Sequence, residues 1–213
     1  MDSLTTLQLR VLTVGEWQEN CYLLVDPETN EGVLIDPGGE PERILDWTAG
    51  VAVRRILLTH AHYDHLGAVG DMRAAHGAPT GLHPADWGMA VQYGVKPDFE
   101  LNEGEHYLLG GQEIKIVHTP GHTPGSVSLR FNSRAIVGDA IFPGGPGHTR
   151  TPEELNLALI SLQNTVFTWP DETELYPGHG PATTVGQERQ EFEAFIAGPR
   201  PPDLYGDVSW RTI

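Results

Sequence analysis

Between Thr59 and Gly67 the chain reads THAHYDHLG, which gathers His60, His62, Asp64 and His65 directly behind an apolar run. Imidazole nitrogen and carboxylate oxygen are donors that zinc, iron and manganese accept, and ligands carried on one tight loop lose little chain entropy when they converge. Three more candidate ligands end other apolar runs: His122 in TPGHTPGS, Asp139 in VGDA and His179 in YPGHG. Each is flanked by glycine or proline, and so sits on a turn where a sheet scaffold can aim a side chain into a shared cleft. One chemistry that such a set supports is metal-assisted hydrolysis, in which bound ions lower the pKa of water from about 15.7 toward neutrality and no serine or cysteine nucleophile is needed; a single iron held by part of the set is another. The remaining histidines His76, His83, His106 and His118 have no partner pattern and read as surface or core residues.

The elements that must position these residues follow from local patterns. Residues 33–35 form an apolar run closed by Asp36-Pro37-Gly38-Gly39, and residues 53–58 form a second run that ends at the histidine cluster. Residues 71–76 read as helix stopped by Gly77, residues 79–83 as a short strand, and Pro84-Ala85-Asp86 as the start of another helix, which is a βαβ rhythm. Residues 113–118 alternate as a strand, and residues 126–131 and 135–137 flank Asn132-Ser133 as a hairpin. Thr151-Pro152-Glu153-Glu154 combines an N-cap, a proline at the first helical position and a capping-box glutamate, with Leu155, Leu159, Leu162 and Val166 on one face of the helix that follows. A last helix is expected over residues 184–196 before Gly198-Pro199, and then an extended tail laid over the surface with Tyr205 and Trp210.

Composition narrows the function classes. A chain of 213 residues with 39% hydrophobic and 20% charged residues fits one globular domain, assigned to residues 1–198, with residues 199–213 as tail and no additional helical domain. No apolar run approaches the roughly 20 residues needed to span a bilayer, and MDSLTTLQLR lacks a basic segment followed by an apolar one, so no membrane partner and a cytoplasmic location are expected. The single cysteine, Cys21, excludes an internal disulfide and reads as a small buried apolar residue. A net charge of −16 without a basic patch argues against nucleic acid, leaving a small-molecule substrate as partner. Gly144–Gly147 lacks the helix and Lys-Ser/Thr of a phosphate loop and reads as a flexible loop near the site.

Taken together, THAHYDH, the GH of TPGHTPGS, the Asp of VGDA and the His of PGHG resemble the metallo-β-lactamase superfamily, and within it the glyoxalase II branch. The resemblance in motif order runs from about residue 8 to residue 196. It implies an α/β (α+β) fold of the four-layer αβ/βα sandwich kind, with the active site along one edge of two packed sheets. Carried over residue by residue, it implies that His60, His62 and His122 hold one metal, that Asp64, His65 and His179 hold a second, and that Asp139 bridges them. Two divalent ions are implied, zinc first and iron or manganese as alternatives. Asp64 and Asp139 are the candidate catalytic carboxylates, Asp64 by orienting the nucleophile through its second oxygen.

The activity implied is hydrolysis of a thioester or related carboxylic ester by a metal-bridging hydroxide. A mononuclear-iron persulfide dioxygenase and a lactone hydrolase are the alternatives, and a non-catalytic metal-binding module is a further class. β-Lactam hydrolysis is disfavoured, since Asp139 stands where common β-lactamases place a cysteine ligand. Two departures bear on substrate. Glyoxalase II proteins carry a C-terminal helical domain that helps bind glutathione, which this chain does not show. Where many relatives have Gly-x-Gly followed by lysine or arginine, this chain has Gly145-Pro146-Gly147-His148, so a permanent cation is replaced by a titratable one. His148 is therefore a candidate substrate contact, and Tyr63 a second, with Tyr93 beside it as packing.

Overall fold

The computed structural model describes residues 6–211; residues 1–5, on which part of the leaderless reading of the N-terminus rests, lie outside it, as do residues 212–213. In chain order the first half forms β1 (Gln8–Val14), β2 (Glu19–Val25), β3 (Glu31–Ile35), α1 (Pro41–Trp47), β4 (Ala52–Leu57), α2 (Tyr63–Leu66), α3 (Val69–His76), β5 (Thr80–Leu82), α4 (Trp87–Gln92) and β6 (Phe99–Glu100). The second half forms β7 (His106–Leu109), β8 (Gln112–His118), β9 (Val127–Phe131), β10 (Arg134–Gly138), β11 (Ile141–Phe142), β12 (Gly145–Pro146), α5 (Pro152–Asn164), β13 (Glu174–Pro177), β14 (Thr183–Thr184) and α6 (Val185–Ala197). Two six-stranded sheets result, ordered β1-β2-β3-β4-β5-β6 and β14-β13-β10-β9-β8-β7. Strands β3 to β6 run parallel to one another, as the βαβ pattern requires, whereas β7 to β10 pair antiparallel among themselves, and β10 pairs parallel with β13.

Alternation along single strands builds the layers. In β2, Cys21, Leu23 and Val25 face α1, α3 and α4, while Tyr22 and Leu24 face the other sheet; every residue of the strand is buried. In β10, Ala135 and Val137 pack toward α5 and α6 while Ile136 joins Tyr22 and Leu57 between the sheets. Three apolar layers therefore separate helices, sheet, sheet and helices, the αβ/βα sandwich that the sequence implies. Cys21 is fully buried.

The local signals resolve as follows. Asn132 takes a φ of 49° in the tight turn that pairs Phe131 with Arg134. Thr151 caps α5 by accepting from the Glu154 N–H at 3.2 Å, and Thr184 caps α6 by accepting from Gln187 N–H at 3.2 Å. Pro84–Asp86 is a 3₁₀ turn, with His83 accepting from Ala85 N–H, that leads into α4. The helix containing Leu155, Leu159 and Leu162 stops at Asn164, because Thr165 leaves helical geometry at φ −122° and ψ −85°; Val166 lies in the following 3₁₀ turn but is still buried. After α6 the chain returns across the second helical layer. Thr149 and Gly206 form a β-bridge, and Val208 and Trp210 sink into the core under α5 and α6. Among the described residues no helix is long and apolar enough to cross a membrane.

Candidate metal centre

Loops leaving β4, β8, β10 and β13 meet at one edge of the two sheets, and each brings part of the histidine and aspartate set. After β4 the short loop carries His60 and His62, whose rings meet with His60 Nε2 beside His62 Nδ1, and His62 is extended where it enters α2. Helix α2 then turns Asp64 and His65 to the neighbouring position. His122 follows β8 on the GHTPGS loop, Asp139 ends β10, and His179 ends β13.

Two groups of donors result. In the first, His62 Nδ1 lies 3.1 Å from His60 Nε2 and 2.8 Å from His122 Nε2. In the second, His179 Nε2 lies 3.1 Å from Asp64 Oδ2, and His65 Nε2 lies 3.9 Å from the same oxygen. Asp139 stands between them: Oδ2 is 3.5 Å from His122 Nε2 and 3.8 Å from His179 Nε2, and Oδ1 is 3.4 Å from His65 Nε2. All seven residues singled out in the sequence are thus brought together, in sets compatible with ion binding.

The outward-facing nitrogens fix the tautomers. His122 Nδ1–H donates to the His148 carbonyl at 2.8 Å and His179 Nδ1–H to the Trp17 carbonyl at 2.9 Å. His65 Nδ1–H donates to Asp36 Oδ2 at 3.0 Å. The Thr59 hydroxyl donates to Asp36 Oδ2 at 2.6 Å and therefore accepts from His60 Nδ1–H at 3.1 Å. In the neutral form of each ring Nε2 is then the lone pair aimed at the centre, the arrangement expected of metal-binding imidazoles. His65 Nε2 and Asp139 Oδ1 are buried and find no hydrogen-bond partner in the protein. A cluster of inward lone pairs and orphaned acceptors fits a cation and is costly without one. The backbone leaves room for it: a Cβ at Gly178 would stand 2.1 Å from Asp139 Oδ1, and one at Gly147 would stand 1.8 Å from the Asp139 carbonyl oxygen.

Charge preferences separate the two sets. Burial holds His60 well below its usual range, and burial with the neighbouring His122 brings His62 to about 4. Burial also lowers His122. For His65 burial alone would act downward, but Asp139 and Asp36 outweigh it and push the group well up; His179 is raised in the same way by Asp64 and Asp139. Burial would raise the Asp139 carboxyl, yet His65, His122 and His179 bring it down to about 2. Asp64 is lowered too, its bond to His179 overcoming burial.

Three supporting carboxylates escaped the sequence reading. Asp36, 1% exposed, accepts from Thr59 N–H at 2.8 Å as well as from the Thr59 hydroxyl and His65. Its signal was an aspartate at the end of an apolar run. Asp86, fully buried, accepts from Ala61 N–H, Gly125 N–H and the Thr123 hydroxyl, so it ties the HxHxDH loop to the GHTPGS loop. Glu19, also buried, lies 3.9 Å from His65 Nδ1, and burial raises its carboxyl well above the usual range. Nothing local distinguishes these acids from turn, cap and strand residues.

The two residues proposed to touch substrate lie on opposite flanks. His148 borders a cavity of about 450 Å³ that opens onto Asp139 and His179. Tyr63, 61% exposed, borders a cavity of about 310 Å³ beside Asp64, with its ring 5.7 Å from that of Tyr93.

Comparison with known proteins places these features. A family model described as the metallo-β-lactamase superfamily matches residues 14–192. A hydroxyacylglutathione hydrolase of Haemophilus influenzae is 32% identical, over 86% of this chain and 96% of that protein. Among solved structures, a protein crystallised in a di-iron-bound form is 37% identical with a TM-score of 0.70, covering 85% of this chain and 97% of the other. A B3 metallo-β-lactamase is 31% identical with a TM-score of 0.76, covering 86% and 97%.

Proposed function

Because the chain belongs to the metallo-β-lactamase superfamily, we propose that it is a metal-dependent hydrolase of thioesters or related carboxylic esters. The observation that carries this reading is the convergence of the His60, His62 and His122 nitrogens and of the Asp64, His65 and His179 donors on either side of Asp139. Two divalent ions bound there would supply hydroxide at neutral pH and polarise the acyl carbonyl. The superfamily binds divalent metals, and the di-iron relative makes iron as well as zinc a candidate.

The chain's own groups then have defined tasks. His60, His62 and His122 are unprotonated at neutral pH and present nitrogen lone pairs without first losing protons. Asp139 is ionised and holds the two donor sets in register. Asp64, ionised and on the rim of the Tyr63 cavity, is the group within reach to orient an attacking water and accept its proton. Water adds its oxygen to the acyl carbon, the carbon–sulfur or carbon–oxygen bond breaks, and the proton passes to the departing thiol or alcohol. Tyr63 and His148 contact the substrate from the two flanking cavities.

Metal content of protein purified from unsupplemented cells, set beside Asp139→Ala, tests this reading together with a panel of thioesters, esters and lactones. Near two ions per chain, loss of metal in the variant and release of free thiol are the expected results. One iron per chain with oxygen consumption on a persulfide would replace the hydrolase by a mononuclear dioxygenase. Absence of metal from both proteins would remove the ligand assignment.

A further inference from the structure

The outer wall of the 450 Å³ cavity beside Asp139 and His179 is made by the segment that follows α6. We infer that this segment forms the subsite for the part of the substrate beyond the scissile bond, and that Asp207 makes the subsite select a cationic leaving group over an anionic one. The inference rests on the hydrolase reading above.

First, the wall is fixed. Thr149 N–H donates to the Gly206 carbonyl at 3.2 Å, Trp210 N–H donates to the Gly144 carbonyl at 2.9 Å, and the Ser209 hydroxyl donates to the same carbonyl at 3.0 Å. Behind them Glu188, fully buried, accepts from Gly144 N–H at 2.7 Å, Trp210 Nε1–H at 3.0 Å and the Thr183 hydroxyl at 2.6 Å. The tail, the β11–β12 loop and α6 are thereby joined through one carboxylate. A wall held this way presents its side chains at set positions rather than as a loose strand.

Second, among the described residues the wall opposite Asp139 and His179 carries a carboxylate and no permanent cation. None of the described residues lining the cavity is lysine or arginine. The nearby guanidinium of Arg211 is engaged by Glu191 at 2.7 Å and Glu188 at 3.2 Å. Arg150 is paired with Glu154 at 2.7 Å. His148 has Nδ1 committed to Asp207 Oδ1 at 2.8 Å. The Asp207 side chain is nevertheless 90% exposed, so most of its acceptor capacity faces the cavity mouth and solvent. The ions that Asp139 and His179 would hold lie on the reacting side of the cavity; at the opposite wall a carboxylate or phosphate on the leaving group would meet Asp207 with no lysine or arginine among the described lining residues, whereas an ammonium would find a ready counter-ion. Phe142, Pro146 and Val208 supply the apolar surface on which a short linker would lie.

Three acetyl thioesters of matched size test the inference: S-acetylthiocholine as cation, S-acetyl-N-acetylcysteamine as neutral ester and S-acetyl-3-mercaptopropionate as anion. Free thiol release gives kcat/KM for each with the metal-loaded full chain. The expected order is cation, neutral, anion, and the cation-to-anion ratio should fall by at least about fivefold in Asp207→Lys, the size expected of one charge reversal at a solvated rim. Raising salt should compress the wild-type ratio toward one. Asp207→Asn gives an intermediate ratio and guards against a folding defect in the lysine variant. Turnover of the esters with a cation-to-anion ratio near one, unmoved by either substitution, overturns the subsite while leaving the hydrolase standing. No turnover of any ester by metal-loaded wild-type protein overturns the thioesterase reading and the subsite with it.

Discussion

Asp36 Oδ2 is shared by the Thr59 hydroxyl at 2.6 Å and His65 Nδ1–H at 3.0 Å, so one buried carboxylate orients His65 directly and His60 through Thr59. The two donor sets are thus braced by a common group beneath the centre. Asp36→Asn keeps the shape but replaces one acceptor oxygen with a donor that faces N–H and O–H groups. Metal affinity should drop by about 10–100-fold, the usual effect of removing such a partner. Titration of the metal-free variant with zinc, read by calorimetry, checks this; an unchanged affinity would remove Asp36 from the centre's support.

Acidification should empty the two donor sets at different pH. Ligation needs unprotonated imidazole. His65 and His179 are pushed upward, so they take up protons first as pH falls, while His60 and His122 are held down and His62 lies at about 4. Equilibrium dialysis between about pH 8 and about pH 5 should show the Asp64, His65 and His179 set losing its ion while the His60, His62 and His122 set keeps its own. A single concerted loss would contradict the separation.

Asp86→Ala should destabilise the fold by about 3–5 kcal/mol, because it strands the Ala61 and Gly125 N–H groups and the Thr123 hydroxyl in a buried site. Urea midpoints measured on metal-free protein isolate this effect from metal binding, and Asp86→Asn should recover part of it. A loss below about 1 kcal/mol would mean that the two loops hold each other by other means.

Gly178→Ala puts a Cβ 2.1 Å from Asp139 Oδ1 and 2.6 Å from His65 Cε1. The expected result is a folded protein whose circular dichroism matches wild type but whose metal binding is weaker by at least about tenfold. Full metal content in this variant would show that Asp139 can retreat without cost to the centre.

Trp210→Ala should cost about 3–5 kcal/mol, the range for deleting a buried large aromatic. Trp210 is 5% exposed, packs its ring 5.7 Å from that of Phe192 and donates to Glu188. Thermal unfolding with and without metal measures it. A cost near zero would mean that the segment after α6 contributes nothing to the second helical layer.

What the sequence made legible was whatever local rules govern. Thr151 and Thr184 cap helices through bonds spanning three residues, Asn132-Ser133 turns a hairpin within its own strands, and HxHxDH carries its donors on one loop. The hidden part depends on partners distant in the chain. Asp36, Asp86 and Glu19 look like residues of a strand end, a helix start and a strand, and gain their roles only when the loops after β4 and β8 and the start of β2 meet at the edge of the two sheets. The tail misled for the same reason. It has no period of its own, so Trp210 resembled a surface aromatic, yet Gly144 and Glu188 on other elements take up its polar groups and let the ring be buried.

The placement of the donors has a mechanical meaning. His60, His62, Asp64 and His65 come from the sheet built by the first half of the chain, and His122, Asp139 and His179 from the sheet built by the second. An ion held by His60, His62 and His122, or by Asp64, His65 and His179, would stitch the two halves together at their open edge, much as a disulfide closes a long loop. In a chain with one cysteine, that makes the centre the available covalent-like staple. Removing metal would then loosen the interface between the sheets from that edge inward.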